Sequence, residues 1–270
     1  MLDLEFAELS DVGRVRARNE DYLGHVVPGS PARARSHGWL FALADGVGGQ
    51  RQGEVASRAA VQEVMGGFQR AKERALQKEL LNHLLNHLVK AANARVCETG
   101  ALAGPSGAGM ASTIVVCGVR FDRATIAYVG DSRCYLIRNG SAQPITHDHT
   151  VAAEQERMGL LSAEEAAEAS TRHVLSRSLG SNLFVSVEIN EVQLRPEDVL
   201  LQCSDGLHGA VSAPEMAQIV GRHRELNAAA RELVASANEK DGSDNISVQL
   251  IRILSVERMG MYRGRPYKLR

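Results

Sequence analysis

Four apolar runs in this chain are bounded by an aspartate and a small or turn-forming neighbour. Residues 39–44 lead into Asp45-Gly46, residues 126–130 into Asp131-Ser132, and residues 199–204 into Asp205-Gly206; Asp244-Asn245 opens the run 246–250. One aspartate at a strand end is ordinary, because its side chain favours turns. Four of them beside core strands predict a shared edge of the fold where carboxylates converge. Converged carboxylates repel one another unless cations neutralise them. Oxygen ligands without a His/Cys set select Mg2+ or Mn2+ over zinc. Two such ions roughly 3.5–4 Å apart can share a water and lower its pKa toward neutrality, which yields a hydroxide nucleophile. Gly46 lets its backbone carbonyl approach an ion with no Cβ in the way.

A second group lies upstream. Residues 11–21 carry Arg14, Arg16 and Arg18 followed by Glu20 and Asp21. An arginine fork matches phosphate oxygens bidentately. Read as a strand, this segment puts Arg14, Arg16 and Glu20 on one face. Acids that hold cations beside an arginine that holds phosphate suit phosphoryl transfer to water. The bland alternative is a surface strand laced with salt bridges.

The elements that must position these groups come in blocks. Strand-like runs fall at 2–9, 21–27, 39–44, 112–121, 124–129, 133–138, 184–193, 198–203 and 246–253. Helical patterns fall at 53–72, 75–98, 151–169, 213–221 and 226–239. Blocks of strands and blocks of helices favour antiparallel layers over a doubly wound sheet. The chain has 270 residues, 44% hydrophobic and 23% charged, enough for one sizeable core. A formal net charge of -1 argues against a nucleic-acid binder. No apolar run is long enough to span a membrane, and the acidic start Met1-Leu2-Asp3-Leu4-Glu5 is unlike a signal peptide. Cys97, Cys117, Cys134 and Cys203 form no CxxC pair and read as reduced thiols of a cytoplasmic protein. A single domain is expected over 1–254. The tail 255–270 is basic, without periodicity, and reads as a solvated end.

Taken in order, "DVGRVRARNED" (11–21), "ALADGVGG" (42–49), "GMASTIVV" (109–116), "YVGDSRCYLIRNG" (128–140), "ITHDHT" (145–150), "HVLSRSLG" (173–180), "LLQCSDGL" (200–207) and "GSDNISV" (242–248) resemble the protein phosphatase 2C family in its bacterial form. Each block is weakly specific alone; eight in order are not. The resemblance implies an α+β fold, a four-layer α-β-β-α sandwich with two antiparallel sheets face to face and helices outside. It implies a metal-dependent phosphoprotein phosphatase that hydrolyses phosphoserine and phosphothreonine by direct attack of a metal-bridged hydroxide. Asp45 would bridge two Mn2+ or Mg2+ ions, with the Gly46 carbonyl on one and Glu20 assisting through water. Asp205 and Asp244 would hold the other, and Asp131 a third, weaker ion. Arg16 would grip the phosphate, with Asp21 and Asn245 behind the ligands. Residues 145–182 would form a flap over the cleft. The implied partners are phosphoprotein substrates and an opposing serine/threonine kinase, with no nucleic acid or membrane and a monomeric chain.

Two departures stand out. Val47 occupies the place where many members carry a histidine proposed as general acid, which leaves His147, His149, His173 or a bound water to protonate the leaving group. Ala111-Ser112-Thr113 replaces the usual Gly-Thr-Thr but keeps the hydroxyls. The rival readings are weaker. The glycines at 46–53 match neither a dinucleotide fingerprint nor a P-loop, and His83 and His87 lack the glutamate of a metalloprotease helix. No Gly-x-Ser-x-Gly elbow surrounds Ser204. A catalytically silent binding module is the alternative, disfavoured because all four aspartates are present.

Overall fold

In the computed structural model, residues 2–47, 52–71, 81–107, 109–262 and 265–268 are described. The chain opens with β1 (Asp3–Asp11), β2 (Asp21–Val26), the short α1 (Pro31–Ser36) and β3 (Trp39–Val47). Helices α2 (Gln52–Arg70) and α3 (Leu81–Leu102) come next. Then follow β4 (Ala111–Ser112), β5 (Ile114–Arg120), β6 (Arg123–Val129), β7 (Arg133–Arg138) and β8 (Ser141–Pro144). Short helices α4 (Val151–Arg157) and α5 (Ala163–Glu168) precede β9 (Glu188–Gln193) and β10 (Val199–Cys203). The one-turn α6 (Asp205–His208), α7 (Ala213–Arg222) and α8 (Leu226–Lys240) lead to β11 (Ile246–Ser255).

The strands form two antiparallel sheets. One has the order β1-β11-β10-β7-β8, the other β2-β3-β5-β6-β9 with β4 paired to β3. Strand alternation sorts the side chains into three apolar layers. Leu40, Ala42, Ala44, Ile114 and Val116 face α2 and α3, which answer with Ala56, Ala60, Val64, Leu85 and Val89. Leu201, Val248 and Leu250 face α7 and α8, packing on Met216, Val220, Ala229 and Leu233. Phe41, Leu43, Val115, Cys117, Leu136, Leu200 and Ile251 fill the space between the sheets. Three apolar layers require four layers of elements, helix, sheet, sheet, helix, as expected. The middle layer is not wholly apolar. Gln202 donates to the Val115 carbonyl at 3.2 Å, and Gln249 to the Gly24 carbonyl at 3.2 Å, each crossing from one sheet to the other.

Several local expectations need correction. The segment 12–20 is a loop that carries the chain from β1 in one sheet to β2 in the other. Its alternating arginines mimic a strand, but Asp11 accepts from the Gly13 amide and Gly13 sits at φ +78°, which turns the chain. The helix read over 151–169 is two helices, parted where Gly159 takes φ +72°. The strand read from 184 starts at Glu188, and Leu183 and Phe184 are 80% and 92% exposed. The start of the helix read at 75–98 lies outside the described residues. The C-terminal tail holds a hairpin, β12 (Met259–Tyr262) against β13 (Arg265–Lys268).

Candidate active site

The aspartates are delivered by strand ends from both sheets. Asp21 begins β2 and pairs in register with Asp45 near the end of β3. Asp205 follows β10 and starts α6; Asp131 follows β6; Asp244 precedes β11. Asp45 is fixed by its backbone. Its N–H donates to Thr113 Oγ1 at 3.0 Å, and its carbonyl accepts from the Thr113 amide at 2.8 Å and the Ser112 hydroxyl at 2.9 Å. The two hydroxyls that replace the usual threonines therefore both act on this one residue.

The carboxylates feel one another. Burial pushes Asp45 well above the ordinary carboxylate range, and Asp21, Asp205, Asp131 and Asp244 push it further. Burial likewise raises Asp21 to about 7, with Asp205 and Asp244 adding to it while hydrogen bonds from Ser247 and Ser204 oppose it. Asp131 rises to about 7 through burial and then the charges of Asp205 and Asp148. Asp205 is raised by burial and by Asp244, and a hydrogen bond with Asp45 offsets part of that. Ser204 Oγ donates to Asp21 Oδ2 at 2.8 Å, whereas Asp21 Oδ1 and Asp205 Oδ1 are buried with no hydrogen-bond partner among the described residues.

Glu20 stands beside this group, raised chiefly by burial. Its placement depends on Gly53 in the first turn of α2. A Cβ at Gly53 would fall 2.6 Å from the Gly46 carbonyl oxygen and 2.8 Å from Glu20 Oε2. Only glycine there leaves room for those two oxygens. The Glu20 carbonyl accepts from the Gly46 amide at 3.1 Å and from Ser57 Oγ at 2.5 Å, which ties β2, β3 and α2 at one point.

Asn245 organises the loop. It is 4% exposed. Its Oδ1 accepts from the Glu20 amide at 2.7 Å, and its Nδ2 donates to the Val12 and Arg18 carbonyls, each at 2.9 Å. Arg16, held in that loop, donates from Nη2 to Asp244 Oδ2 at 2.6 Å and keeps 51% of its side chain exposed. Its guanidinium, stabilised first by that hydrogen bond, has further donors to offer.

A second tier supports Asp131. His208 Nε2 donates to the Asp131 carbonyl at 3.0 Å, and loss of solvation lowers this imidazole to about 4. Arg133 forms a two-pronged pair with Asp148 at 2.8 and 2.7 Å, fastening the base of the 145–182 segment. His149, 1% exposed, stacks on Tyr128 and accepts from the Gly130 amide through Nδ1 at 3.1 Å. Burial lowers its pKa, against the opposing pull of Glu188.

The residues expected at the site thus meet: Arg16, Glu20, Asp21, Asp45, Gly46, Asp131, Asp205, Asp244 and Asn245 share one edge. Gly53, Ser57 and His208 were not anticipated. Gly53 alone left a trace, as a glycine near the Asp45-Gly46 turn. Among the described residues, no three His, Cys, Asp or Glu side chains already stand in ligand-cage geometry. The donor set is nonetheless all oxygen, like-charged, partly orphaned and cradled by Gly53. That composition fits hard divalent cations.

The sequence profile of Protein phosphatase 2C matches residues 14–251. The chain is 33% identical to the serine/threonine phosphatase stp of Listeria welshimeri over 256 residues, covering 95% of this chain and 96% of that one. Its fold is similar to the serine/threonine phosphatase of S. agalactiae, with TM-score 0.84, 28% identity, and coverage of 93% of this chain and 100% of the other. It is similar also to the catalytic domain of serine threonine protein phosphatase PstP in complex with 2 manganese ions, with TM-score 0.79, 28% identity, and coverage of 94% and 100%. The chain belongs to the protein phosphatase 2C family, the metal-dependent serine/threonine phosphatases.

Proposed function

We propose that this phosphatase hydrolyses phosphoserine and phosphothreonine directly, with water as the nucleophile, and that it opposes a bacterial serine/threonine kinase. The observation that carries the reading is the convergence of Asp45, Asp21, Asp205, Asp131 and Asp244 at strand ends on one edge of the two sheets, where like charges press on one another. Such a set persists at neutral pH when cations offset it. In this reading Asp45, Asp205, Asp244 and the Gly46 carbonyl hold two Mn2+ or Mg2+ ions. Glu20 assists through water, and Asp131 takes a third, weaker ion. Ions of this class supply a lowered pKa for water and positive charge beside a phosphoryl group.

The chain's own groups do the rest. The Arg16 fork receives phosphate oxygens at the exposed mouth of the site. Asp21 and Asn245 fix the loop and the ligands from behind. No covalent phosphoenzyme is needed. Cys117, Cys134 and Cys203 are buried thiols raised by burial, and Ser204 Oγ is fully buried and spent on Asp21. With His149 buried, His147 and His173 are left as side-chain donors to the leaving group; His173 acts electrostatically on Asp205.

The test is turnover of an aryl phosphate and a phosphothreonine peptide in Mn2+ and in EDTA, with Asp205→Asn alongside. We expect both substrates to be cleaved in Mn2+, and loss of at least about a hundredfold in EDTA and in the variant. Retained turnover in either would reject the reading.

A further inference from the structure

The helix α3 carries a polar side chain that its apolar face does not explain. Asn93 is 1% exposed and sits among Val89, Ala92 and Val96, which are fully buried. A buried amide is costly unless its bonds are made. Asn93 makes three, all to one stretch of backbone. Its Oδ1 accepts from the Gly180 amide at 2.9 Å, and its Nδ2 donates to the Asn182 and Leu183 carbonyls at 2.9 and 3.1 Å. One helical turn on, Cys97 Sγ contacts the Gly180 and Asn182 carbonyls at 3.6 and 3.5 Å.

Packing does little to hold that stretch. An open cleft of about 370 Å3 lies against residues 180–183, and Leu183 and Phe184 are largely exposed. Gly180 is at φ +86°, and a Cβ there would meet the Met110 carbonyl oxygen at 2.4 Å. The chain therefore passes close to the backbone before β4, in a conformation that the amide of Asn93 fixes from the other side.

The residue just before Gly180 leads to the active site. Leu179 exchanges both backbone hydrogen bonds with Ser112, at 2.8 and 3.1 Å. Ser112 pairs in β4 with Gly46, and its hydroxyl donates to the Asp45 carbonyl at 2.9 Å. Gly46, Ser112, Leu179 and Asn93 thus form one lateral relay. Leu179 covers the outer edge of β4, and Asn93 secures Leu179.

We infer that Asn93 is a positioning residue for the reaction: by pinning the end of the 145–182 segment it holds Leu179 on β4 and so sets the Asp45-Gly46 corner. This rests on the reading that Asp45 and the Gly46 carbonyl hold divalent cations. Groups behind ligands typically alter affinity 10–100-fold when removed.

The test compares parent, Asn93→Ala, Val89→Ala and Asp205→Asn by calorimetric Mn2+ titration and by amide hydrogen exchange. Val89 lies one helical turn before Asn93 in the same core, but its apolar side chain makes none of the relay's hydrogen bonds, so Val89→Ala reports generic loosening of α3. For Asn93→Ala we expect Mn2+ affinity about tenfold weaker, faster exchange at the Ser112 and Leu179 amides, and kcat recovered at saturating Mn2+. Val89→Ala should lower the melting temperature and leave Mn2+ affinity in place. Should Asn93→Ala not fold, Ser112→Ala reads the same relay from its other end, where weaker Mn2+ binding supports the inference and unchanged binding overturns it. Unchanged Mn2+ affinity and exchange in Asn93→Ala would also overturn it. If Asp205→Asn binds Mn2+ like the parent, the cation reading itself fails, which is a separate outcome.

Discussion

Replacing Asp21 by asparagine should make the metal-free protein more stable at neutral and alkaline pH. Asp21 is 7% exposed, one of its oxygens has no hydrogen-bond partner among the described residues, and Asp205 and Asp244 press on it. Burial pushes its carboxyl up to about 7 in the fold from the 3.8 of a free aspartate, so the folded chain binds this proton more tightly than the unfolded chain. The sign follows. Its contribution is intact below about pH 4 and is lost as pH rises through about 7. A gap of roughly 3 pH units corresponds to about 4 kcal/mol as an upper bound, and about half of it disappears between about pH 5 and 7. Asparagine keeps the volume and an acceptor for Ser204 but carries no charge. At roughly 2 °C per kcal/mol for a domain of this size, Asp21→Asn in EDTA should melt up to about 8 °C above the parent at pH 8. The two should converge below about pH 4. The assay is calorimetric melting across that range. A variant that melts no higher than the parent at pH 8 would refute the claim that Asp21 is held desolvated among like charges.

Other outcomes follow from the same geometry. Gly53→Ala drives a methyl into the Gly46 carbonyl and Glu20 Oε2, so kcat/KM should fall by at least about tenfold with Mn2+ affinity weakened in titration. Asn245→Ala frees three backbone partners in the Arg16 loop; KM for a phosphopeptide should rise, and melting should report a loss of about 2–3 kcal/mol. Leu85→Ala removes a fully buried side chain from the layer beneath α2 and α3 and should cost about 2–5 kcal/mol in denaturant unfolding, without altering Mn2+ affinity.

The layered fold was legible in the blocks of strands and helices and in the near-continuous apolar runs of Trp39–Val47, Ile114–Arg120 and Ile246–Ser255, strands buried on both faces that need cover on both sides; the four-layer sandwich itself came from the resemblance. The aspartates at strand ends were legible for the same reason, since a run that stops at Asp-Gly announces where the strand leaves the core. Other features depend on contacts between segments far apart in sequence. Arg14, Arg16 and Arg18 show a strand's period, yet their loop is shaped by Asn245, more than two hundred residues away. Gly53 looks like any helix-start glycine until the Gly46 carbonyl is placed against it. Asn93 looks like a flank residue until α3 docks on the segment beyond Leu179. His149 offered a proton donor by type, but that its ring is buried and stacked on Tyr128 shows only in the fold.

The most direct measurement is anomalous scattering from a crystal of this protein soaked in Mn2+. The account predicts two strong peaks with an Asp45 oxygen between them, the Gly46 carbonyl on one and Asp205 and Asp244 on the other. Peaks that leave Asp45 uncoordinated, or a soaked crystal with no Mn2+ at this edge of the sheets, would contradict it.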